Sequence, residues 1–344
     1  MHQDRETEMR EAMLYSPLKE GKVQCNLCNH RCNISPSKRG ICGVRENRDG
    51  KLYTLVFGRA ISLNVDPIEK KPLFHFLPGS TSFSIATVGC NFRCLQCQNH
   101  EISQMPMDKE RIEGSAVSPS NILLSAKESQ CRSISYTYTE PTIYFEYAYE
   151  TAAIANEAGV KNVFVTNGYM TEEALRTIQP YLDAANVDLK SFQEKFYREV
   201  CGARLEPVLE NLKLMKQMGI WVEITTLIIP TLNDSDQEFE MIAQFIVSLG
   251  PDVPWHISAF YPTYKMTNLP RTSTSLLFRA REIGMKAGLR YVYCGNIPGQ
   301  GGENTFCPHC GRQVIERVGF RVIKNEIVNG ECRHCHSKID GVWN

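Results

Sequence analysis

The sequence predicts an α/β protein, a partial (β/α)6-type barrel of parallel strands with a small cysteine-rich module at each end. Three features lead there. Apolar runs of strand length alternate with helical periodicity from Ser82 to Cys294. Most of the fourteen cysteines fall in three tight groups, and Pro and Gly punctuate the helical stretches. Strand patterns occupy 82–88, 133–138, 162–166, 185–189, 221–229, 255–260 and 291–294. Helical patterns fill 120–129, 142–158, 171–181, 205–218, 236–249 and 273–287. Pro119, Pro141 and Pro207 stand near helix starts and Gly159, Gly219 and Gly288 near helix ends, where each residue type is favoured. Such alternation builds parallel strands with right-handed crossovers. About six units leave the barrel partial, and its site then lies at the carboxyl ends of the strands.

The expected domains are 1–81, 82–295 and 296–344. Residues 1–22 read as a polar lead-in with one or two helix turns. Cys25, Cys28, Cys32 and Cys42 follow as C-x2-C-x3-C-x9-C in a segment too short and polar to form its own core, so a metal is expected to hold it. Four thiolates suit zinc or an iron–sulfur cluster, and spacing does not choose between them. His30 reads as an exposed or supporting side chain rather than a ligand. Residues 52–65 alternate as a strand or hairpin. Asp66 to Phe76 carries two prolines around charges and aromatics, which predicts an extended, lid-like loop. After a Gly- and Asn-rich linker, 296–305, come Cys307, Cys310, Cys332 and Cys335 as paired C-x2-C knuckles around short strands at 314–316 and 320–323. That pattern predicts a zinc-ribbon or rubredoxin-like module holding zinc, or a single iron. His309, His334 and His336 are surplus to its four ligands.

Lys plus Arg equals Asp plus Glu at 38 each, so no net charge points to nucleic acid or an anionic membrane. No apolar run approaches the ~20 residues that span a bilayer. Met1 to Met13 lacks a secretory signal's apolar centre, and clustered cysteines favour metal over disulfides; the expectation is a cytoplasmic chain.

The central motif is Cys90-Asn91-Phe92-Arg93-Cys94-Leu95-Gln96-Cys97, C-x3-C-x2-C after an apolar run ending at Gly89. Three thiolates complete neither a protein-only zinc tetrahedron nor a four-iron cubane. They leave one iron open to a small molecule. This spacing resembles the signature of the radical S-adenosylmethionine (SAM) enzymes, and CNFRCLQCQNHE resembles the cluster loop of the pyruvate formate-lyase activating enzyme group. The N-terminal cysteines, DPIEKKPLFHF, YTYTEPT and CPHCG extend the resemblance over 23–343, most closely to the AmmeMemoRadiSam-system radical SAM enzymes.

The resemblance implies a 4Fe–4S cluster on Cys90, Cys94 and Cys97, where reductive cleavage of SAM yields a 5′-deoxyadenosyl radical that abstracts hydrogen. It places Glu140 of Tyr138-Thr139-Glu140-Pro141 where a GGEP motif receives the SAM amine, with Tyr138 and Thr139 in place of the glycines. A carboxylate favoured at a helix N-terminus is the plain reading of the same residue. Asp188 and Lys190 of Asp188-Leu189-Lys190 share one strand face, and the resemblance sets the lysine near the SAM carboxylate and the aspartate near the ribose or a bound cation. Asn167 stands in a Thr-Asn-Gly turn whose preceding aspartate is here Val165. Gln96 replaces the aromatic that many relatives carry beside adenine. Thr225, Thr226, His256 and Tyr261 are weaker polar candidates.

The substrate is expected to be a protein, as in glycyl-radical activation, or a small molecule. Flavodoxin or ferredoxin is the expected type of reductant, and the subgroup implies Memo-like and AMMECR-like partners. Two other readings stand beside this one: a noncatalytic multi-metal scaffold, and a nucleic-acid-modifying radical SAM enzyme.

Overall fold

The structure is a computed structural model describing residues 10–297 and 299–344. The first nine residues of the expected lead-in and Pro298 of the expected linker lie outside the described residues. The chain divides into two compact units. One takes in the described residues up to Val65, then 83–93 and 99–182; the other takes in 66–82, 94–98 and 183–344.

In the first unit, β1 (Thr81–Ala86, mostly in this unit), β2 (Ser133–Tyr136) and β3 (Lys161–Thr166) are sheet neighbours. β2 and β3 run parallel, with Ile134 opposite Asn162. Every β2 side chain is buried, the pattern of a strand covered on both faces. Helices α1 (Pro119–Glu128), α2 (Phe145–Glu157) and α3 (Glu172–Ile178) accompany the strands. The side chains of Ser118 and Thr171 accept the backbone N–H groups of Asn121 and Ala174, satisfying donors that the first turns of α1 and α3 leave open. α2 buries Phe145, Ala148, Ala152 and Ala155. Asn162 of β3 donates to the Ala152 carbonyl at 3.0 Å.

Among the described residues before 22, short strands stand where helix turns are expected. Arg10–Glu11 pairs with Lys51–Thr54, and Tyr15–Pro17 with Val23–Cys25. Among those described residues, only the 3-10 turn Lys19–Gly21 is helical. The cysteine-rich segment shares the core of this unit. The Asn29 N–H donates to the Tyr169 carbonyl at 2.9 Å, Thr171 Oγ1 to the Asn26 carbonyl at 2.7 Å, and Arg45 pairs with Glu146 at 2.8 Å. Both charged side chains of that pair are almost completely buried.

In the second unit, β4 (Ala184–Asp188), β5 (Trp221–Ile228), β6 (Trp255–Ala259) and β7 (Val292–Gly295) lie in parallel order. They alternate with α4 (Glu206–Gln217), α5 (Asp236–Leu249) and α6 (Thr274–Lys286). The C-terminal knuckles flank an antiparallel sheet of β8 (Thr305–Phe306), β9 (Gln313–Val318) and β10 (Arg321–Asn325).

The segment read as an extended, lid-like loop differs in two respects. Ile68–Lys70 forms a 3-10 turn, and the segment is packed inside the second unit. The buried Glu223 carboxylate accepts the N–H groups of Phe74 and His75 at 2.9 and 2.8 Å. From the C-terminal sheet, Arg317 donates to the Phe74 carbonyl at 2.8 Å, its guanidinium 4.3 Å from the centre of the Phe74 ring. Lys71 is buried against Asp66 at 2.7 Å. Charges that look like surface in sequence are here paired supports, because two distant residues, Glu223 and Arg317, receive the backbone.

Candidate functional site

The strand β1 leads through Gly89 into the three-cysteine loop. Gly89 has φ +105°, and a Cβ there would come 2.8 Å from Val44 Cγ1, so the chain passes the N-terminal segment only as glycine. Phe92 is buried with its ring 5.1 Å from that of Tyr169, fixing the loop behind Cys90. Cys94 is buried, while Cys90 and Cys97 are partly exposed.

In the first unit the structure brings together Cys90, Glu140 and Asn167. Glu140 is 3% exposed, and its Oε1 accepts from the Thr142 N–H at 3.1 Å and from the hydroxyls of Thr142 and Thr166. Among the described residues, its Oε2 accepts the Asn167 N–H alone, at 2.8 Å. Burial pushes the Glu140 carboxyl above the usual range, while these hydrogen bonds act in the opposite direction. The plain reading of Glu140 holds, since it caps the 3-10 turn Pro141–Tyr144. Asn167 Nδ2 donates to Asn91 Oδ1 at 2.7 Å and lies 3.9 Å from Cys90 Sγ.

The turn before Glu140 holds Tyr138 in the left-handed region that glycine favours. Tyr138 has φ +61°, and the Thr139 N–H bridges back to the Thr137 carbonyl at 2.7 Å. A non-glycine residue in this conformation is strained. The strain is held by Asn99 of the cysteine loop, whose Nδ2 donates to the Tyr138 carbonyl at 2.7 Å, and by Thr139 Oγ1, which donates to the Thr87 carbonyl at 2.8 Å.

The second unit groups Asp188 and Lys190, with Cys94 close enough to act on the lysine's charge. Lys190 Nζ donates to Asp188 Oδ2 at 2.9 Å. Burial opposes the ammonium charge, but Asp188, Cys94 and Cys201 outweigh it and hold the Lys190 pKa well above its ordinary value. The lysine's backbone is fixed on both sides: its N–H donates to Tyr197 Oη at 3.1 Å, and its carbonyl accepts from Asn233 Nδ2 at 2.8 Å. Glu238, on α5, accepts from Ser191 Oγ and the Phe192 N–H and fixes the next two residues.

Asn91, Asn99, Thr166, Tyr197, Asn233 and Glu238 escape the sequence reading. Glu238 resembles an ordinary acid in the first turn of a helix. Asn91 and Asn99, inside the cysteine motif, carry the one sequence signal that could have marked them. The weaker candidates all have structural partners: Thr225 with Asn186, Thr226 with Trp255, His256 with Glu223, and Tyr261 with the Asn296 carbonyl.

Cys307, Cys310, Cys332 and Cys335 place their Sγ atoms within 4.8 Å of one another. Two pairs, Cys307–Cys335 and Cys310–Cys332, approach to 3.7 and 3.8 Å. A tetrahedron with Zn–S bonds of about 2.3 Å puts its sulfurs ~3.8 Å apart, so these four fit zinc. Cys25, Cys28, Cys32 and Cys42 line one cavity with Arg45 and Asn91.

The three-cysteine loop fits an iron–sulfur cluster and its ligand on two grounds. Its donor set is three soft thiolates. Between the second and third lies Gln96, 4% exposed, whose Oε1 is buried without a hydrogen-bond partner, an acceptor awaiting a donor.

Comparison with known proteins agrees with this chemistry. Residues 84–246 match the radical SAM superfamily model. Over 335 residues the chain is 47% identical to an uncharacterized protein of Methanocaldococcus jannaschii, covering 96% of this chain and 99% of that one. Over 167 residues it is 25% identical to the pyruvate formate-lyase-activating enzyme of Clostridium pasteurianum, covering 47% of this chain and 67% of the other. Its fold is similar to that of a radical SAM methyltransferase from Sphaerobacter thermophilus, with 15% identity and a TM-score of 0.50 over 66% of this chain and 71% of that one. The chain carries a radical SAM superfamily domain over 84–246, within an α/β fold resembling that family's partial barrel. It is distantly related to the pyruvate formate-lyase and glycyl-radical activating enzymes.

Proposed function

We propose that the chain is a SAM-cleaving oxidoreductase whose cluster sits on Cys90, Cys94 and Cys97. The observation that carries this is the three-thiolate loop with the orphaned Gln96 Oε1 inside it. A 4Fe–4S cluster with SAM supplies one-electron cleavage to methionine and a 5′-deoxyadenosyl radical, the hydrogen-abstracting agent. Glu140 receives the SAM amine on Oε2, which has accepting capacity beyond its one N–H partner. Lys190, its charge secured by Asp188, faces the SAM carboxylate, and Asp188 the ribose. Asn167 holds Asn91 and orients the loop beside Cys90. Gln96 accepts from an N–H of SAM.

The finer assignment is to the AmmeMemoRadiSam-system type, with 82–295 as the catalytic core between two cysteine-rich parts. Its reductant is a flavodoxin or ferredoxin, its partners are Memo-like and AMMECR-like proteins, and zinc occupies the C-terminal cysteines. The relation to activating enzymes favours a protein substrate over a small molecule. In the test, anaerobically reconstituted protein receives SAM and dithionite, and 5′-deoxyadenosine is quantified. Production that Cys94→Ala abolishes supports the reading; equal production by Cys94→Ala overturns it.

A further inference from the structure

The N-terminal cysteines pose a separate question. Cys25, Cys28, Cys32 and Cys42 ring one cleft, all within the first unit. Among the described residues, the C-terminal four are the only His, Cys, Asp or Glu group of three or more whose ligand atoms all lie within 4.8 Å of one another. The N-terminal four are all described, and no three of their sulfurs lie within 4.8 Å of one another, the spacing that closes around a single tetrahedral ion. In a four-iron cluster each thiolate binds a different iron, so the sulfurs stand farther apart.

The walls of the cleft supply the second observation. Arg45 and Asn91 both line it, and each is only 1% exposed. Arg45 Nε and Nη1 and Asn91 Nδ2 are buried without hydrogen-bond partners, although Arg45 Nη2 is engaged by Glu146 and the Met13 carbonyl. Buried donors left open are costly. A cluster with four thiolates and inorganic sulfides is anionic and rich in acceptors, and hydrogen bonds to its sulfurs are a recognised way to tune it. The guanidinium supplies a matching positive charge.

We infer that Cys25, Cys28, Cys32 and Cys42 hold a polynuclear iron–sulfur cluster, with Arg45 and Asn91 as donors to its sulfurs. Asn91, next to Cys90, is itself part of the three-cysteine loop, so that loop forms one wall of this centre. The inference concerns a different ligand set and stands or falls apart from the SAM reading.

The test uses the full chain with Cys90→Ala, Cys94→Ala and Cys97→Ala combined, reconstituted anaerobically with iron and sulfide. About four irons and four acid-labile sulfides should remain per chain, with an electron paramagnetic resonance signal on dithionite reduction, and adding Cys28→Ala should remove all three. Zinc at two equivalents without labile sulfide, or no metal beyond one zinc, overturns the inference. Wild-type protein and the Cys28→Ala/Cys42→Ala variant give a second measurement in case the triple variant does not fold. The double variant should lose about four irons relative to wild type, and equal iron in the two is the overturning result. Failure of the SAM reading alone would instead leave the N-terminal iron and sulfide intact while no 5′-deoxyadenosine forms.

Discussion

Glu140 does two jobs with one carboxylate. Its Oε1 ties together Thr142 and Thr166, its Oε2 takes the Asn167 N–H, and one lone-pair direction is left for an ammonium. Glu140→Gln keeps the size and most acceptors but loses the charge. A charge-assisted hydrogen bond is worth about 1.5–3 kcal/mol, so SAM affinity should fall roughly 10- to 100-fold by equilibrium binding. A purely structural carboxylate would lower the melting temperature and leave SAM affinity unchanged. His75 offers a second test. Burial lowers its pKa from 6.5 to about 4. The unfolded chain therefore takes up a proton first as pH falls, and the contribution present above pH 6.5 is lost toward pH 4. Between pH 7 and 5 that amounts to about 2 kcal/mol. Wild type should lose stability over this range in denaturant titrations, and His75→Gln should lose less; equal losses would show that His75 is not the group responsible. Spacing alone marks the cysteine groups, whereas Glu140, Asp188 and Lys190 stand out as candidates only through motifs shared with the resembled family. Tyr138 shows the limit: tyrosine gives no sign of a left-handed turn, which here depends on a contact from Asn99.

Elements were readable wherever local signals sufficed. The helical pattern over 236–249 matches α5, Asp236–Leu249, whose first turn the Ser235 side chain caps. The 142–158 pattern instead divides into a 3-10 turn, Pro141–Tyr144, and α2, because Glu140 and Thr142 make a tight turn first. The π-helical turn Tyr197–Cys201, which carries the tyrosine hydroxyl to the Lys190 backbone, has no hydrophobic period to announce it. The C-terminal knuckles were legible from spacing, but their place in a core was not. Cys307 and Cys332 pack with Phe74, Tyr291 and Tyr293. Zinc loss should therefore loosen more than the knuckles. Cys310→Ala should remove about one zinc per chain by elemental analysis and reduce amide-exchange protection in β8–β10 and around Phe74. Unchanged protection around Phe74 would separate the knuckles from that core.

At the scale of the whole molecule, the division into units runs through the cysteine motif, with 83–93 in one and 94–98 in the other. Nothing local in the sequence shows this, nor that 66–82 belongs with residues after 183, because both follow from pairings across more than a hundred residues, such as Glu223 with Phe74. The buried Arg45–Glu146 pair joins the cysteine-rich segment to α2. Arg45→Met leaves Glu146 buried without its charge partner and should cost about 3–5 kcal/mol by denaturant titration; a loss under 1 kcal/mol would mean that the pair does not anchor the segment. Among the described residues no helix is long and apolar enough to cross a membrane.

The central claim is that an iron on the Cys90, Cys94 and Cys97 loop is open to SAM. Electron–nuclear double resonance on the reduced protein, with SAM carrying 15N in its amine and 17O in its carboxylate, reads that bond directly. Hyperfine coupling to both labels, lost in Cys94→Ala, is the predicted result. A reduced cluster that shows coupling to neither label, or zinc in place of iron at the three cysteines, would contradict it.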